Sequence, residues 1–455
     1  MGWSRWLMIV ALVGCGRFGF GDAADGGADD GGNGDGKSHD DGGTMPVTCT
    51  RTSLTTPTIW VDTNTGLDTN PGTQTSRVKT VTKALTLLSG NGGTIVVGPG
   101  NYLETLDISS TKPLVLLSET RYAARVQRVA CNACTDLTID GFEISGSSLS
   151  LVQVTGGSRI TVRDNAIYNG NSSGVRVTSG ATNVDIVSNV IYDTYASQIH
   201  INDANVTIRD NVVFYENGPT SDIGKIWLEA STDARVSGNV VFRSIGNDGG
   251  YGMISLRDTT GTTIVENNLV AGSPAATSVY ASVGFDMATG SAMIRHNTFV
   301  GPMPGAAFGL GAGNIFTGAN FTLVNNLWAT PGTTQPFTDG NAAGKVTIRH
   351  NLYWNGPSGA FPAGGSPTPA TNDAERIVAD PGIASMLPTA PVRSGAGFVG
   401  GATTTCEVHD QLVEAIAKIA ATSPAVGAAD PTQSPTVDIR GHARPATAAV
   451  GAYEP

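Results

Sequence analysis

Charged residues make up only 14% of this 455-residue chain. So little charge does not suit long solvent-facing helices, whereas 59 glycines suit many turns between short strands. The net charge of -11 comes partly from one acidic tract, and no basic excess points to nucleic acid. Cysteine is scarce, with five in all. The one Cys-x-x-Cys, Cys131 and Cys134, has no second cysteine pair and no nearby histidine to complete a zinc site, and no strand-helix-strand context to make a redox site. Acidic residues do not gather either. The Asp/Gly tract lacks EF-hand spacing with its terminal Glu, and no three or four Asp or Glu fall together in adjacent repeats, so no metal site is assigned.

What the chain has is a recurring phrase. Ile160-Thr-Val-Arg-Asp-Asn165-Ala-Ile167 returns as Val184-Asp-Ile-Val-Ser-Asn189-Val-Ile191 and as Val206-Thr-Ile-Arg-Asp-Asn211-Val-Val213. Variants end at Asn239, Asn267, Asn297, Asn326 and Asn351, at intervals of 22 to 30 residues. That period belongs to solenoids, whose units are too small to bury an apolar face alone and must stack. Apolar residues two apart on both sides of the Asn are strand periodicity. The coils are therefore β-strand, with one kink per phrase. A column of Asn at that corner lets each side-chain amide pair with the next, and Asn tolerates a left-handed backbone. These Asn read as structural.

Ahead of the coils, residues 1–14 carry Arg5 and the apolar core Leu7-Met-Ile-Val-Ala-Leu-Val13, an export signal. From Gly21 to about Thr48 the chain is nearly all Gly, Asp, Ala and Asn, which cannot bury a core and reads as a flexible tether. Residues 15–50 are thus expected to be disordered. Next come a strand at Ile59-Trp-Val-Asp62 and a short amphipathic helix over 78–88 that covers the open end of the stack. Coils are expected from about Thr94 to Tyr353, in a β-helix domain of 58–370. Leu137-Thr-Ile-Asp-Gly-Phe142 puts Phe in the Asn place, so the Asn column begins one coil later. The remaining segment, 371–455, includes a helix over 408–421 expected to pack on the C-terminal end.

Two resemblances add to this reading. Leu12-Val-Gly-Cys15 resembles the lipobox of bacterial lipoproteins, which implies a lipid on the Cys15 sulfur and, with no Asp following, an outer-membrane location facing the periplasm or the cell surface. Trp60-Val-Asp, Thr69-Asn-Pro-Gly, Lys79-Thr-Val-Thr-Lys-Ala-Leu and Ile95-Val-Val-Gly-Pro-Gly-Asn-Tyr resemble the opening of secreted right-handed parallel β-helix proteins of the pectin-lyase-like superfamily. Ser423-Pro-Ala-Val-Gly-Ala, Asp438-Ile-Arg-Gly-His-Ala-Arg-Pro and Val450-Gly-Ala-Tyr-Glu454 are similar to its closing segment. The expected fold is an all-β, single-stranded right-handed parallel β-helix with an N-terminal capping helix and a C-terminal capping segment. Once Cys15 is set aside, Cys49, Cys131, Cys134 and Cys406 allow three connectivities. Cys131 with Cys134 and Cys49 with Cys406 are favoured, the latter tying the opening segment to the tail.

Function is sought on the strand between phrases. Leu151-Val-Gln153-Val, Gly174-Val-Arg176-Val, Ile199-His200-Ile, Lys225-Ile-Trp227-Leu-Glu229, Ile254-Ser255-Leu and Phe285-Asp286-Met alternate strictly. Stacking should align Gln153, Arg176, His200, Trp227, Ser255 and Asp286 on one outward column, flanked by Lys225 and Glu229. Trp227 offers a stacking surface for a sugar ring, and Arg176 and Lys225 offer cations for uronate carboxylates. Lys225, Arg176 and His200 are the catalytic candidates; Trp227, Gln153, Asp286, Glu229 and Tyr251 are the substrate-binding ones. Related pectate and alginate lyases combine Lys or Arg with carboxylate-bound calcium, but the acidic cluster they use has no counterpart here. The expected function is a monomeric surface lipoprotein, attached to the membrane only through its lipid, that binds or cleaves an acidic polysaccharide. Any cleavage would be lyase-like, and calcium is the cofactor that the resemblance suggests. The sequence leaves open whether the face is catalytic. The competing expectation is a non-enzymatic cell-surface scaffold or adhesin that binds a protein.

Overall fold

The computed structural model describes residues 49–455 apart from 89, 217–224, 244–251, 273–282, 287–288, 303–307, 311–317, 332–336, 339–345 and 358–371. The expected signal peptide, Cys15 and nearly all of the tether lie outside the described residues, as does Tyr251.

Each full coil contributes three short strands, for example Val152–Thr155, Ser158–Arg163 and Ala166–Gly170. Every strand pairs in parallel with its equivalent in the next coil, which makes a right-handed parallel β-solenoid with three faces. Face 1 contains Ser158–Arg163, face 2 Ala166–Gly170 and face 3 Val152–Thr155. Face 1 has twelve described strands, and a twenty-stranded sheet forms the other two. The long strands Gly100–Ile108 and Ala124–Asn132 span faces 2 and 3 before the corner between them develops. The stack reaches beyond the expected coil limits. It opens with Thr58–Val61 and closes with Ile377–Val378, because both pair in register with full coils.

Period-two alternation produces the core directly. One inward column of face 1 runs Ile139, Val162, Ile186, Ile208, Val236, Val265, Ile294, Leu323 and Ile348, all buried. Each such side chain contributes roughly 1.5–3 kcal/mol by leaving water.

The corner between faces 1 and 2 holds the Asn ladder. Asn165 Nδ2 donates to Asn189 Oδ1, and the same bond links Asn189 to Asn211, Asn211 to Asn239 and Asn239 to Asn268, at 3.0 Å each. It continues through Asn297, Asn326 and Asn351. Each Oδ1 also accepts the backbone N–H of the previous rung, as in Asn189 N to Asn211 Oδ1 at 2.9 Å. Two expectations need correction. The fifth rung is Asn268, not Asn267, and the left-handed residue of each corner is the one before the rung: Asp164, Ser188, Asp210, Gly238, Asn267, His296, Asn325 and His350 all have φ between 51° and 67°. Asn267 occupies that left-handed position and spends its amide on Val437 O and Arg444. Below the first rung Phe142 is buried in the Asn place, and its N–H donates to Asn165 Oδ1. Above the last rung Asp373 Oδ2 accepts from Asn351 Nδ2 at 2.9 Å.

Helix α1, Val81–Leu88, buries Val81, Ala84 and Leu88 against the first coil. The Glu104 carboxylate accepts from the N–H groups of Val81 and Thr82, satisfying donors that a helix start leaves open. Helix α2, Thr405–Ile416, starts with a capping box formed by Thr404 and Glu407.

Only the start of the C-terminal segment caps the stack, through Asp373 and Ile377–Val378, and the rest is not an end cap. It lies along face 2, where α2 meets the strands Val212–Tyr215 and Val240–Arg243. The reason is the apolar outer surface of that face. A ring stack of Tyr168, Tyr192, Phe214 and Phe242, with centroids 4.7 to 4.9 Å apart, would otherwise face water. The tail covers it with Phe398, Leu412, Val413, Ile416 and Tyr453, making a second core outside the coil. Cys49 bonds to Cys406 across 357 residues, and Cys131 bonds to Cys134. From Cys49 the chain runs as a strap over face 1, where Thr52 donates to Asp140 and Thr55 to Thr94.

Candidate functional site

Faces 1 and 2 thus carry strap and tail, whereas the Gln153 to Trp227 column of face 3 is partly exposed. Register places Gln153, Arg176, His200, Trp227 and Ser255 in one line, adjacent strands lying about 4.8 Å apart. The next residue in that line is Gly284, not Asp286. Phe285 pairs with Leu256 and Asp286 with Arg257, so Asp286 falls two residues further along the strand, in register with Arg257 and Glu229. Glu229 and Asp286 therefore share one column, with Arg257 between them.

Lys225 does not flank this surface. The strand starts at Ile226, and Lys225 occupies the corner before it, buried at 4% exposure with its Nζ 4.9 Å from the centre of the Tyr215 ring. A buried ammonium at a corner is not a surface cation for substrate. Ser255 is buried as well, its hydroxyl donating to Gly252 O at 3.0 Å.

The remaining residues form one connected patch. His200 and Trp227 stack with ring centroids 4.6 Å apart and planes within 8°. Glu229 is the hub: it accepts from Asn202 Nδ2 at 2.9 Å, lies 3.4 Å from His200 Nε2, and meets Arg257 Nη1 at 3.3 Å. Gln153 is held by Arg128, whose Nη2 donates to its Oε1 at 3.1 Å. Burial is the main influence on His200 and lowers its pKa; the Glu229 contact opposes this and Arg176 reinforces it. At neutral pH the imidazole is neutral and able to take a proton.

Asn202, Arg257 and Arg128 were not singled out from the sequence. The first two follow from extending the same alternation by one more outward position, which reads Thr155, Thr178, Asn202, Glu229, Arg257 and Asp286. Arg128 lies on the long strand before the repeat pattern starts and carries no periodic signal. Chemically the patch offers a flat aromatic surface, the guanidinium groups of Arg128, Arg176 and Arg257, a neutral imidazole and the Glu229 carboxylate. Among the described residues, no three His, Cys, Asp or Glu side chains gather to hold a metal.

A family model described as right handed beta helix region matches residues 85–241 and 126–301. Among solved structures, pectate lyase Pel9A covers 87% of this chain and 96% of its own length at 14% identity and a TM-score of 0.55. XylC, solved in complex with xylose, covers 72% of this chain and 87% of its own at 11% identity and a TM-score of 0.45. A rhamnogalacturonan lyase covers 65% and 87% at 14% identity and a TM-score of 0.38. At such identity the likeness to Pel9A establishes the fold. No curated protein matches the sequence significantly.

Proposed function

We propose that face 3 binds an acidic polysaccharide along the solenoid axis. The observation that supports this most is the in-register column of Arg176, His200 and Trp227 beside Asn202, Glu229 and Arg257. Guanidinium groups pair bidentately with carboxylates, and a partly exposed indole beside them suits the apolar side of a sugar ring. The protein most similar in backbone among those above is a pectate lyase, which agrees with a uronate polymer. If the face also cleaves, the chemistry is lyase-like. Arg176 and Arg257 would offset the uronate charge, and the neutral His200 imidazole would take the proton next to it. The chain would be carried on the outer membrane by a lipid on Cys15.

The test is titration of polyuronate oligomers into the purified protein, followed by ultraviolet detection of unsaturated uronate ends. Arg176→Ala should weaken binding at least tenfold, about 1.4 kcal/mol. Binding that is indifferent to Arg176 would exclude this face, and binding without unsaturated product would restrict it to recognition. Globomycin treatment should change the mass of the exported protein, and an unchanged mass would remove the lipid anchor from the proposal.

A further inference from the structure

Away from face 3, the outer surface of face 1 has a cavity of about 380 Å³. Its floor is one outward column, Val115, Thr138, Thr161 and Asp185, contributed by four consecutive strands in register. The floor is therefore roughly 14 Å long at about 4.8 Å per strand. On one side rises the ion pair of Asp136 with Arg159, closed by bonds of 2.5 and 2.8 Å. Both residues hold a left-handed backbone, with φ of 54° and 55°, near the start of their face 1 strands. The strap closes one end through Thr55, which is fixed by bonds of 2.7 and 3.0 Å to Thr94, the residue next to Val115 in the same column.

The lining is selective. Asp136 and Arg159 cancel, which leaves Asp185 as the net charge of the groove. Burial raises the Asp185 pKa, with the nearby Arg209 and a hydrogen bond from the Thr207 hydroxyl pulling the other way, and the carboxylate, with two oxygens, can accept further donors on the groove side. An acidic polymer would bring like charge to it. Strand addition by a peptide is closed off, because the floor strands already pair on both sides. A ligand rich in hydroxyls fits. Its hydroxyls can donate to Asp185 and exchange bonds with Thr138, Thr161 and Asn183, while Val115 and Pro113 meet its C–H surface.

We propose that this groove is a second glycan site, specific for a neutral oligosaccharide and separate from face 3. The two sites divide by charge. Face 3 presents guanidinium groups, and face 1 presents a lone carboxylate among hydroxyls. A heteropolysaccharide with charged and uncharged stretches could engage both.

The experiment titrates neutral cello-, xylo- and malto-oligosaccharides into the intact protein, with polygalacturonate oligomers in parallel. One neutral series should bind the wild type, and Thr161→Trp, which fills the floor, should weaken it at least tenfold. Thr161→Val and Asp185→Leu should each weaken it severalfold, whereas Arg176→Ala should leave it unchanged. Thermal unfolding of every variant identifies one that has failed to fold. In that case Thr161→Val, which removes a single hydroxyl, decides. Three outcomes overturn the proposal: no neutral series binds, binding is indifferent to Thr161 and Asp185, or binding is lost in Arg176→Ala. Loss of polygalacturonate binding alone would bear on face 3 and not on this groove.

Discussion

Replacing Asn211 by Ala removes one rung from the middle of the ladder. Its Oδ1 accepts from Asn189 N at 2.9 Å and from Asn189 Nδ2 at 3.0 Å, and its Nδ2 donates to Ile186 O, Arg209 O and Asn239 Oδ1 at 2.8 to 3.0 Å. The Asn189 side chain keeps its bonds to Val162 O and Val187 O, so the group left buried without a partner is the Asn189 backbone N–H. An orphaned buried donor costs about 1–3 kcal/mol, and each further bond lost adds about 1 kcal/mol or less. Asn211→Ala should therefore destabilise by about 3–5 kcal/mol. A stack of repeats need not unfold in one step, so amide hydrogen exchange is the better assay alongside denaturant melting. Protection of the Asn189 amide should collapse, while amides near Ile348 stay protected. Asn211→Asp should be worse at neutral pH, since an oxygen would then face Ile186 O. A loss below about 1 kcal/mol with unchanged Asn189 protection would refute a structural role for the ladder.

Four further outcomes follow. Glu229→Gln removes a negative charge from between His200 and Arg257 and should tighten polyuronate binding roughly threefold at low salt; weaker binding would mean that Glu229 touches the ligand. His296 is buried and bonded to Ser434 and Gly451 of the tail, and burial holds its pKa well below 6.5. The folded state thus resists a proton that the unfolded state accepts. Stability from this contact is complete above about pH 6.5 and declines as pH falls, and a histidine NMR titration with a midpoint at or above 6.5 would contradict it. The double change Cys49→Ser and Cys406→Ser opens a link across 357 residues and should cost about 2–4 kcal/mol, seen as faster tail proteolysis without reductant. Ile416→Ala in α2 should cost about 2–5 kcal/mol and loosen the tail while the coil core stays protected from exchange.

The coil was legible because its signal is short-range and repeated. Parallel strands at constant register turn a two-residue alternation into faces, so the alignment of Gln153, Arg176, His200 and Trp227 follows from the sequence alone. Reading failed where a column position carries no side chain or where two candidates adjoin. Gly284 left no mark, and Asp286 was put in its place. Asn267 and Asn268 stand side by side, and only the backbone of the corner distinguishes them. Lys225 was misplaced because a strand's first residue is set by the corner, not by alternation. The tail was hidden for a different reason. It has no period, and the surface that attracts it is a ring stack assembled from four coils, a long-range property that no local window contains.

The ladder has a direction. Every bond from one rung to another runs forward, from the Nδ2 of each coil to the Oδ1 of the one that follows, so the ladder must start and finish differently. Phe142 starts it by offering only a backbone N–H. Asp373 finishes it with an oxygen that accepts from the Asn351 backbone, the Asn351 amide and the Tyr353 hydroxyl, and a carboxylate has no hydrogen to hand on. Asp373 is thus a stop signal written in hydrogen-bond polarity. Coils could be inserted between Asn165 and Asn351 without breaking the chain of donors, but lengthening the stack beyond its last rung would require an amide at position 373.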